Sequence, residues 1–413
     1  MRQLEKDRLI HVVGFHLDLL LNYAPVDAAH FKGPMEAQTS AEIEKGLEGV
    51  IIGKSAITFI DGLQGILRYR GIDIKELAEN SIFEEVAYLL WKGKLPTRTE
   101  LVSFERELTK NRIVPPDVLT LLKRIPRTAD PMEAARTAVS YMAAYPRKRS
   151  ETFQDANNRK AVQMTAALAP IVASFDRIRK GKKPLTPDRK LGHAANFLYL
   201  MTGKKPTMAT ERAFNTISIL YADHEMNAST FAAVVTVSTL ADLGGAVTSA
   251  VAALAGPLHG GSNQRVMEML ETIGTVENVD RFIDDELAAG RRIMGFGHRI
   301  YKTFDPRALI LKEVADSLTK GSKNRKWFDM AQKIESSVWE KRQLRPNIEF
   351  YAAVTLNALG VPKDLMPAVF ACNRIAGWVA HIFEQYADNR LIRPLTEYVG
   401  PSETPYVPIG QRG

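Results

Sequence analysis

Cysteine occurs once in the 413 residues, as Cys372, so no internal disulfide is possible and a disulfide-stapled secreted fold is excluded. It lies in the apolar run "AVFACNRIAGW", where a thiol packs as a small hydrophobe. Apolar runs of membrane-spanning length are also scarce. The longest candidate, residues 228–258, is split by Asp242 and the Gly244-Gly245 pair and is rich in Ser and Thr, so it reads as two buried helices. Near the start, "RLIHVVGFHLDLLLNY" follows basic residues as a signal peptide would. Asp18 and two histidines interrupt it, and no small-residue cleavage site follows. These absences predict a cytoplasmic protein with no membrane partner.

Negative charge is in deficit. Lys and Arg number 55 against 47 Asp and Glu, giving a net charge of +8 and a pI near 9.3. Such a balance suits nucleic acid, a membrane surface or an anionic substrate. The cations are spread along the whole chain, with only short clusters such as Gly181-Lys182-Lys183 and residues 323–326. A nucleic-acid binder concentrates charge on one element, so nucleic acid is not expected as a partner. Disorder is not expected either, with 45% hydrophobic and 25% charged residues.

Period-two alternation is rare, and helical periodicity runs through most of the chain. One hairpin stands out near residues 55–71, where "SAITFID" and "ILRYRG" are joined through "GLQ". Helix starts follow. Ser81 with Glu84, and Thr97 with Glu100, form capping-box patterns, the first helix stopping at Gly93. Asp305-Pro306 reads as an N-cap followed by proline at the first helical position. Asn347 opens a helix that Gly360 ends. The fold class predicted is all-α with one small N-terminal β-hairpin. A change of texture near residue 262 suggests a smaller helical domain, 263–376, inserted between two parts of a larger one, 47–262 and 377–413. Residues 1–46 form an N-terminal extension without an assigned role.

Of eight histidines, three stand beside residues that break regular structure. His224 lies in "YADHEMNAST", His259 in "AGPLHGGSNQ" and His298 in "GFGHRIYKTFDPRA". Their separations of 35 and 39 residues match no local zinc spacing, and the one cysteine cannot help, so no metal is expected. Gly260 and Gly261 allow close backbone approach to a ligand, and a helix starting near Ser262 would favour a neutral His259. A neutral imidazole still donates one hydrogen bond and can polarise a carbonyl with it. His298 has Arg299, Lys302 and Arg307 close by. Gly295 and Gly297 expose amide N–H groups there, and the following helix N-terminus adds more, which together form a cradle for carboxylate or phosphate. Glu349 falls in the first turn of a helix, where a carboxylate is ordinarily a helix-start charge.

"HEMNASTF", "GPLHGGSNQ", "GFGHRIYKTFDPRA", "PNIEFYAA", "RIAGWVAHIFEQ" and "RLIRPLTEYVGP" occur in this order. Together they resemble the citrate synthase family, from about Gly49 to Pro401. The resemblance implies a two-domain, nearly all-α homodimer with its active site in the cleft, acting without a cofactor. It implies condensation of acetyl-CoA with oxaloacetate, then hydrolysis of the thioester. Carried over by position, it makes His259 the group that holds the thioester oxygen and Glu349 the carboxylate base, where the family usually has aspartate. His298 would polarise the ketone of oxaloacetate. His224, Arg307 and Arg374 would bind its carboxylates, and Arg393 would reach the neighbouring subunit's site. Gly295, Phe296 and Gly297 would lie against coenzyme A, with Lys302 contacting a phosphate.

Two alternatives stay open. Relatives that prefer propionyl-CoA, the 2-methylcitrate synthases, often carry proline after the loop histidine, where Arg299 stands here in "GHRIYK". A non-enzymatic basic binder of acidic partners would need its positive charge everywhere and its three histidines nowhere.

Overall fold

The computed structural model describes residues 43–412, so the basic and apolar stretch at residues 8–23 lies outside the described residues. Residues 43–54 belong to one unit and residues 55–412 to a second. The described part of the first holds a short 3₁₀ turn, Lys45–Leu47, with no buried residue.

The second unit opens on β1 (Thr58–Asp61) and β2 (Ile66–Tyr69), the antiparallel hairpin expected from the sequence. A third strand, β3 (Ile72–Asp73), extends it and is an addition to that expectation. The connection is Arg70-Gly71, both at positive φ, the geometry of a two-residue hairpin turn. Arg70 holds this position by donating to the Leu90 carbonyl at 2.7 and 3.2 Å.

Sixteen α-helices follow among the described residues. They are α1 (Ile74–Asn80), α2 (Phe83–Lys92), α3 (Arg98–Asn111), α4 (Pro116–Arg124), α5 (Pro131–Ala143), α6 (Phe153–Arg179), α7 (His193–Thr202) and α8 (Met208–Tyr221). The chain continues as α9 (Ala228–Ser238), α10 (Leu243–Leu254), α11 (Ser262–Ile273), α12 (Val279–Ala288), α13 (Pro306–Thr319), α14 (Arg325–Arg342), α15 (Ile348–Ala358) and α16 (Met366–Ala387). No helix among the described residues is long and apolar enough to cross a membrane.

Local chemistry sets most of these boundaries. Thr97 and Glu100 form the expected capping box on α3, a feature worth about 1 kcal/mol. Asp305 caps α13 with Pro306 following it, and Asn347 caps α15. Gly93 closes α2 in the left-handed conformation. The run 228–258 divides into α9 and α10, with Asp242 capping α10; Gly244 and Gly245 fall inside its first turn instead of marking the break.

The Ser81–Glu84 capping box does not form. Glu84 is drawn into a buried pair with Arg112 at 2.7 Å and accepts from the His193 N–H at 2.6 Å. The free N–H of Phe83 is satisfied instead by Asn215 Oδ1 on α8, at 3.0 Å. A cap supplied from a distant helix leaves no local sequence signal.

Helix α16 lies at the centre, and every residue of 366–382 is buried. A helix apolar on all sides can only sit inside. Its polar exceptions therefore point at partners: Asn373 faces His193, Arg374 reaches the Tyr221 carbonyl and His381 contacts Asp223. Cys372 is buried beside them, and burial raises its thiol pKa, as suits a packing residue.

Candidate active site

The loop after α8 brings His224 inward. Tyr69 of β2 donates to the Asp223 carbonyl at 2.7 Å, and Asp223 Oδ2 accepts from Thr58 of β1 at 2.5 Å. His381 of α16 meets the same oxygen at 3.2 Å. With its predecessor anchored on three elements, His224 is buried and its Nε2 lies 3.3 Å from the Tyr301 hydroxyl. Its ring meets that of His298 edge-on, with centroids 5.3 Å apart. Burial, and then the charge of Arg307, push its pKa well below the ordinary imidazole value.

His298 sits in the segment 295–305, which is clamped at both ends. Asn347 N donates to the Gly295 carbonyl at 2.9 Å, Gly297 N donates to the Arg345 carbonyl at 3.2 Å, and Phe296 pairs with Pro346. Gly295 is at φ +81°, and a Cβ there would lie 2.8 Å from the Phe350 ring, so only glycine fits. On the far side the segment rests on the β1–β2 turn: Lys302 N donates to the Gly62 carbonyl at 2.9 Å and Thr303 to the Leu63 carbonyl at 3.1 Å. Within it, His298 Nδ1 accepts from the N–H groups of Ile300 and Tyr301 at 3.0 and 3.2 Å. Backbone N–H can only donate, so the neutral ring carries its proton on Nε2. Its pKa is lowered to about 4 by burial and then by Arg307.

Two details of the expected anion cradle are different. The Gly297 N–H is spent on Arg345, and the start of α13 is occupied by its own cap, Asp305 accepting from Arg307 N at 3.0 Å. The Gly297 and Arg307 N–H groups are therefore engaged, and the positive charge comes from side chains. Arg307 is buried in a two-point pair with Asp305 at 2.9 and 2.8 Å. Arg374 is buried with Nε on the Tyr221 carbonyl at 2.7 Å, and among the described residues it has no carboxylate in ion-pair contact. Burial lowers its pKa, with Asp223 offsetting part of the effect, but a guanidinium stays charged. Burying a cation without a paired anion is costly.

His259 lies just ahead of α11, as expected. Its Nε2 accepts from the Ser229 N–H at 3.2 Å and lies 2.9 Å from Ser229 Oγ, at the start of α9. Ser229 Oγ is fixed by the Trp378 indole N–H at 3.0 Å and by Asn227 at 2.8 Å. The ring is consequently the Nδ1–H tautomer, with a pKa lowered to about 4 by burial and then by Arg374. It lies 6.5 Å from the Phe370 ring, which stacks on Tyr221 at 4.2 Å. The Tyr221 hydroxyl donates to Glu349 Oε2 at 2.7 Å. Glu349 is buried in the first turn of α15, and burial raises its pKa to about 7 against the lowering pull of Tyr221, Arg307 and Arg374.

Asp305 joins the two groups of residues. Besides Arg307, its Oδ2 accepts from Ile348 N at 3.0 Å, next to Glu349 in the chain. His224, His298, Tyr301 and Arg307 thus connect with Glu349, Tyr221, Arg374, Phe370 and His259. Lys302 is exposed, with Nζ on the Arg299 carbonyl at 2.9 Å, and Phe296 packs against Phe350. Arg393 is exposed in the extended segment after α16, apart from this cluster. A cavity of about 260 Å³ is lined in part by Asp305, and its Lys312 is paired with Glu335 at 2.7 Å. Among the described residues no group of three or more His, Cys, Asp or Glu side chains is placed to hold a metal ion.

Three contributors were not singled out in the sequence. Tyr221 and Phe370 sit in apolar helical runs and read as core. Ser229, the second residue of a helix that Asn227 caps, carries no sequence signal of its own.

The model of the family described as "Citrate synthase, C-terminal domain" matches residues 46–395. The chain belongs to the citrate synthase family. Citrate synthase 2 of Bacillus subtilis is 44% identical over 369 residues, covering 89% of this chain and 99% of that protein. The Citrate/2-methylcitrate synthase of the same organism is 38% identical, covering 86% of this chain and 96% of its own. Among solved structures, the citrate synthase of Thermoplasma acidophilum in a ternary complex with carboxymethyl coenzyme A and oxaloacetate superposes with a TM-score of 0.85. It is 36% identical, covering 90% of this chain and all of that one.

Proposed function

We propose that the chain is a citrate synthase that condenses acetyl-CoA with oxaloacetate and hydrolyses the resulting thioester to citrate and free CoA. The observation that carries this reading is the meeting, through Phe370 and Tyr221, of a neutral His259 with a free Nδ1–H and a buried Glu349.

A thioester methyl is a weak acid, and a carboxylate removes its proton only if the oxygen is stabilised as charge develops. Glu349 takes the methyl proton while His259 Nδ1–H donates to the thioester oxygen. His298 donates from Nε2–H to the ketone oxygen of oxaloacetate, making its carbon a better electrophile. His224, Arg307 and Arg374 hold the carboxylates. The enol carbon attacks the ketone carbon, the ketone oxygen becomes the hydroxyl of citryl-CoA, and water then cleaves the thioester. Gly295, Phe296 and Gly297 lie along coenzyme A, with Lys302 on a phosphate. No cofactor is required.

The reactive enol has to be kept from water, and closure of a small domain, 263–376, over a large one, 47–262 and 377–413, accomplishes this. The limit at 376 falls within α16. We also assign a homodimer. The extended segment after α16 leaves Leu391, Leu395, Tyr398, Val399, Tyr406 and Ile409 at least 56% exposed, an apolar surface that a second copy would cover. Arg393 lies on this segment and completes the partner's carboxylate site. A single buried cysteine suits a reducing compartment, and we place the enzyme in the cytoplasm.

Thiol release tests the reading. With oxaloacetate present, acetyl-CoA should give the higher kcat/KM and propionyl-CoA a lower one, since one methylene is worth only about 1–3 kcal/mol of discrimination. Release independent of oxaloacetate would remove the condensation, and a preference for propionyl-CoA would make the enzyme a 2-methylcitrate synthase.

The hairpin has a place in this scheme. A Cβ at Gly62 would lie 2.2 Å from the Ile300 carbonyl oxygen, a contact that only movement of the loop relieves. Gly62→Ala should raise the KM for oxaloacetate roughly tenfold and lower stability by about 1–3 kcal/mol, as overpacking does. Steady-state kinetics and a thermal melt check both, and an unchanged KM would show that the turn does not hold His298 in place.

A further inference from the structure

We propose that Tyr221 is a positioning residue for the base: its hydroxyl pins one oxygen of Glu349 so that the other alone faces the substrate methyl. The inference rests on the assignment of Glu349 as base made above. Tyr221 ends α8 and is fully buried. A phenolic O–H in an apolar interior costs stability unless it is partnered, and here its partner is Glu349 Oε2 at 2.7 Å. The direction of that bond is fixed by Asn263, whose Nδ2 donates toward the same hydroxyl at 3.4 Å and leaves the phenolic proton for the carboxylate.

The ring cannot swing away, because it stacks on Phe370 at 4.2 Å and 26°. Its backbone carbonyl meanwhile accepts from Arg374 Nε at 2.7 Å. One residue therefore sets the relation between the base and an arginine of the dicarboxylate site. Glutamate has one more rotatable bond than aspartate, and the phenol removes that freedom. The methyl proton passes to Oε1, the C–H electron pair stays with the enol carbon, and Oε2 keeps its bond to the phenol throughout. The charged or titratable groups acting on Glu349 are Tyr221, Arg307, Arg374 and Asp305.

Tyr221→Phe keeps the ring stack and the backbone carbonyl and removes only the hydroxyl. The expected result is a kcat lower by roughly 10- to 100-fold, the worth of one hydrogen bond to a charged group. The KM for oxaloacetate should stay within about twofold, since the contact with Arg374 is retained. The ascending limb of kcat/KM should move to higher pH, because a bond donated to the charged form favours that form. A role in packing alone would change stability and leave that limb in place.

A second measurement needs no change at Tyr221. In the full-length enzyme carrying ¹³C at the tyrosine ζ carbons, one resonance should titrate with the midpoint of kcat/KM and stop titrating in Glu349→Gln. Absence of such a resonance overturns the proposal, as does a Tyr221→Phe enzyme whose kcat and pH profile match the wild type. In both cases an inactive Glu349→Gln leaves the assignment of the base intact. A fully active Glu349→Gln overturns that assignment and this inference together.

Discussion

Glu349→Gln should lower turnover by roughly 100- to 10,000-fold, the range a positioned general base contributes, while the protein becomes more heat-stable at pH 8. The activity loss follows from chemistry, since an amide accepts no proton from carbon. Exchange of the acetyl methyl hydrogens with deuterated solvent, measured without turnover to citrate, isolates the step. It should vanish in the variant, and persistence at the wild-type rate would move the base elsewhere.

The stability gain follows from linkage. Burial raises the Glu349 pKa from 4.5 to about 7, so the folded protein prefers the protonated acid. That preference contributes stability in full below pH 4.5 and loses it as pH rises through 7. At pH 8 the buried charge costs about 3 kcal/mol, at about 1.4 kcal/mol for each pKa unit. Glutamine keeps the shape and the acceptor for Tyr221 without the charge. The Tm difference between variant and wild type should therefore be near zero at pH 4.5 and positive at pH 8. A variant less stable at both would show that the carboxylate is held for structure. In the wild type, the ascending limb of kcat/KM against pH should fall near 7, because the base acts only when ionised.

What could be read in the sequence was whatever depends on near neighbours. Thr97, Asp305 and Asn347 cap helices through bonds spanning two or three residues, so their signals are local and correct. Three histidines beside glycine or proline breaks are visible for the same reason. Ser81 and Glu84 have the same spacing as Thr97 and Glu100, yet Glu84 pairs with Arg112, 28 residues away. Spacing records a possible bond and not the competition for it. Two donors of the expected cradle are engaged, the Gly297 N–H by the Arg345 carbonyl from across the fold and the Arg307 N–H by its own cap, Asp305. Tyr221 and Phe370 were invisible for a different reason. An aromatic in an apolar helix has the same pattern whether it fills the core or lines a site. For Tyr221 only the partner of its polar tip separates the two roles, and that partner is 128 residues distant.

His259→Ala carries the second large effect, a loss of roughly 100- to 1,000-fold in kcat, the usual result of deleting one preorganised oxyanion donor. The proposed donor is oriented before any substrate arrives. Trp378 and Asn227 fix Ser229, and Ser229 fixes the Nε2 side of the ring. With Nε2 occupied as an acceptor, the single proton of the neutral ring sits on Nδ1, directed away from Ser229. Since the pKa lies near 4, acidification to pH 5 should not convert His259 to a cation, and the acid side of the activity profile belongs to Glu349. Oxaloacetate affinity should survive the substitution, because His224, Arg307 and Arg374 do not hang on this ring. The pairing of a strongly reduced kcat with an unchanged oxaloacetate dissociation constant is thus the expected signature. Ser229→Ala offers a graded check, since it removes the Oγ contact and keeps the N–H that sets the tautomer, and it should cost far less than loss of the ring. If Ser229→Ala proves as damaging as His259→Ala, the imidazole is oriented mainly by the hydroxyl, and the tautomer assigned from the backbone bond is wrong.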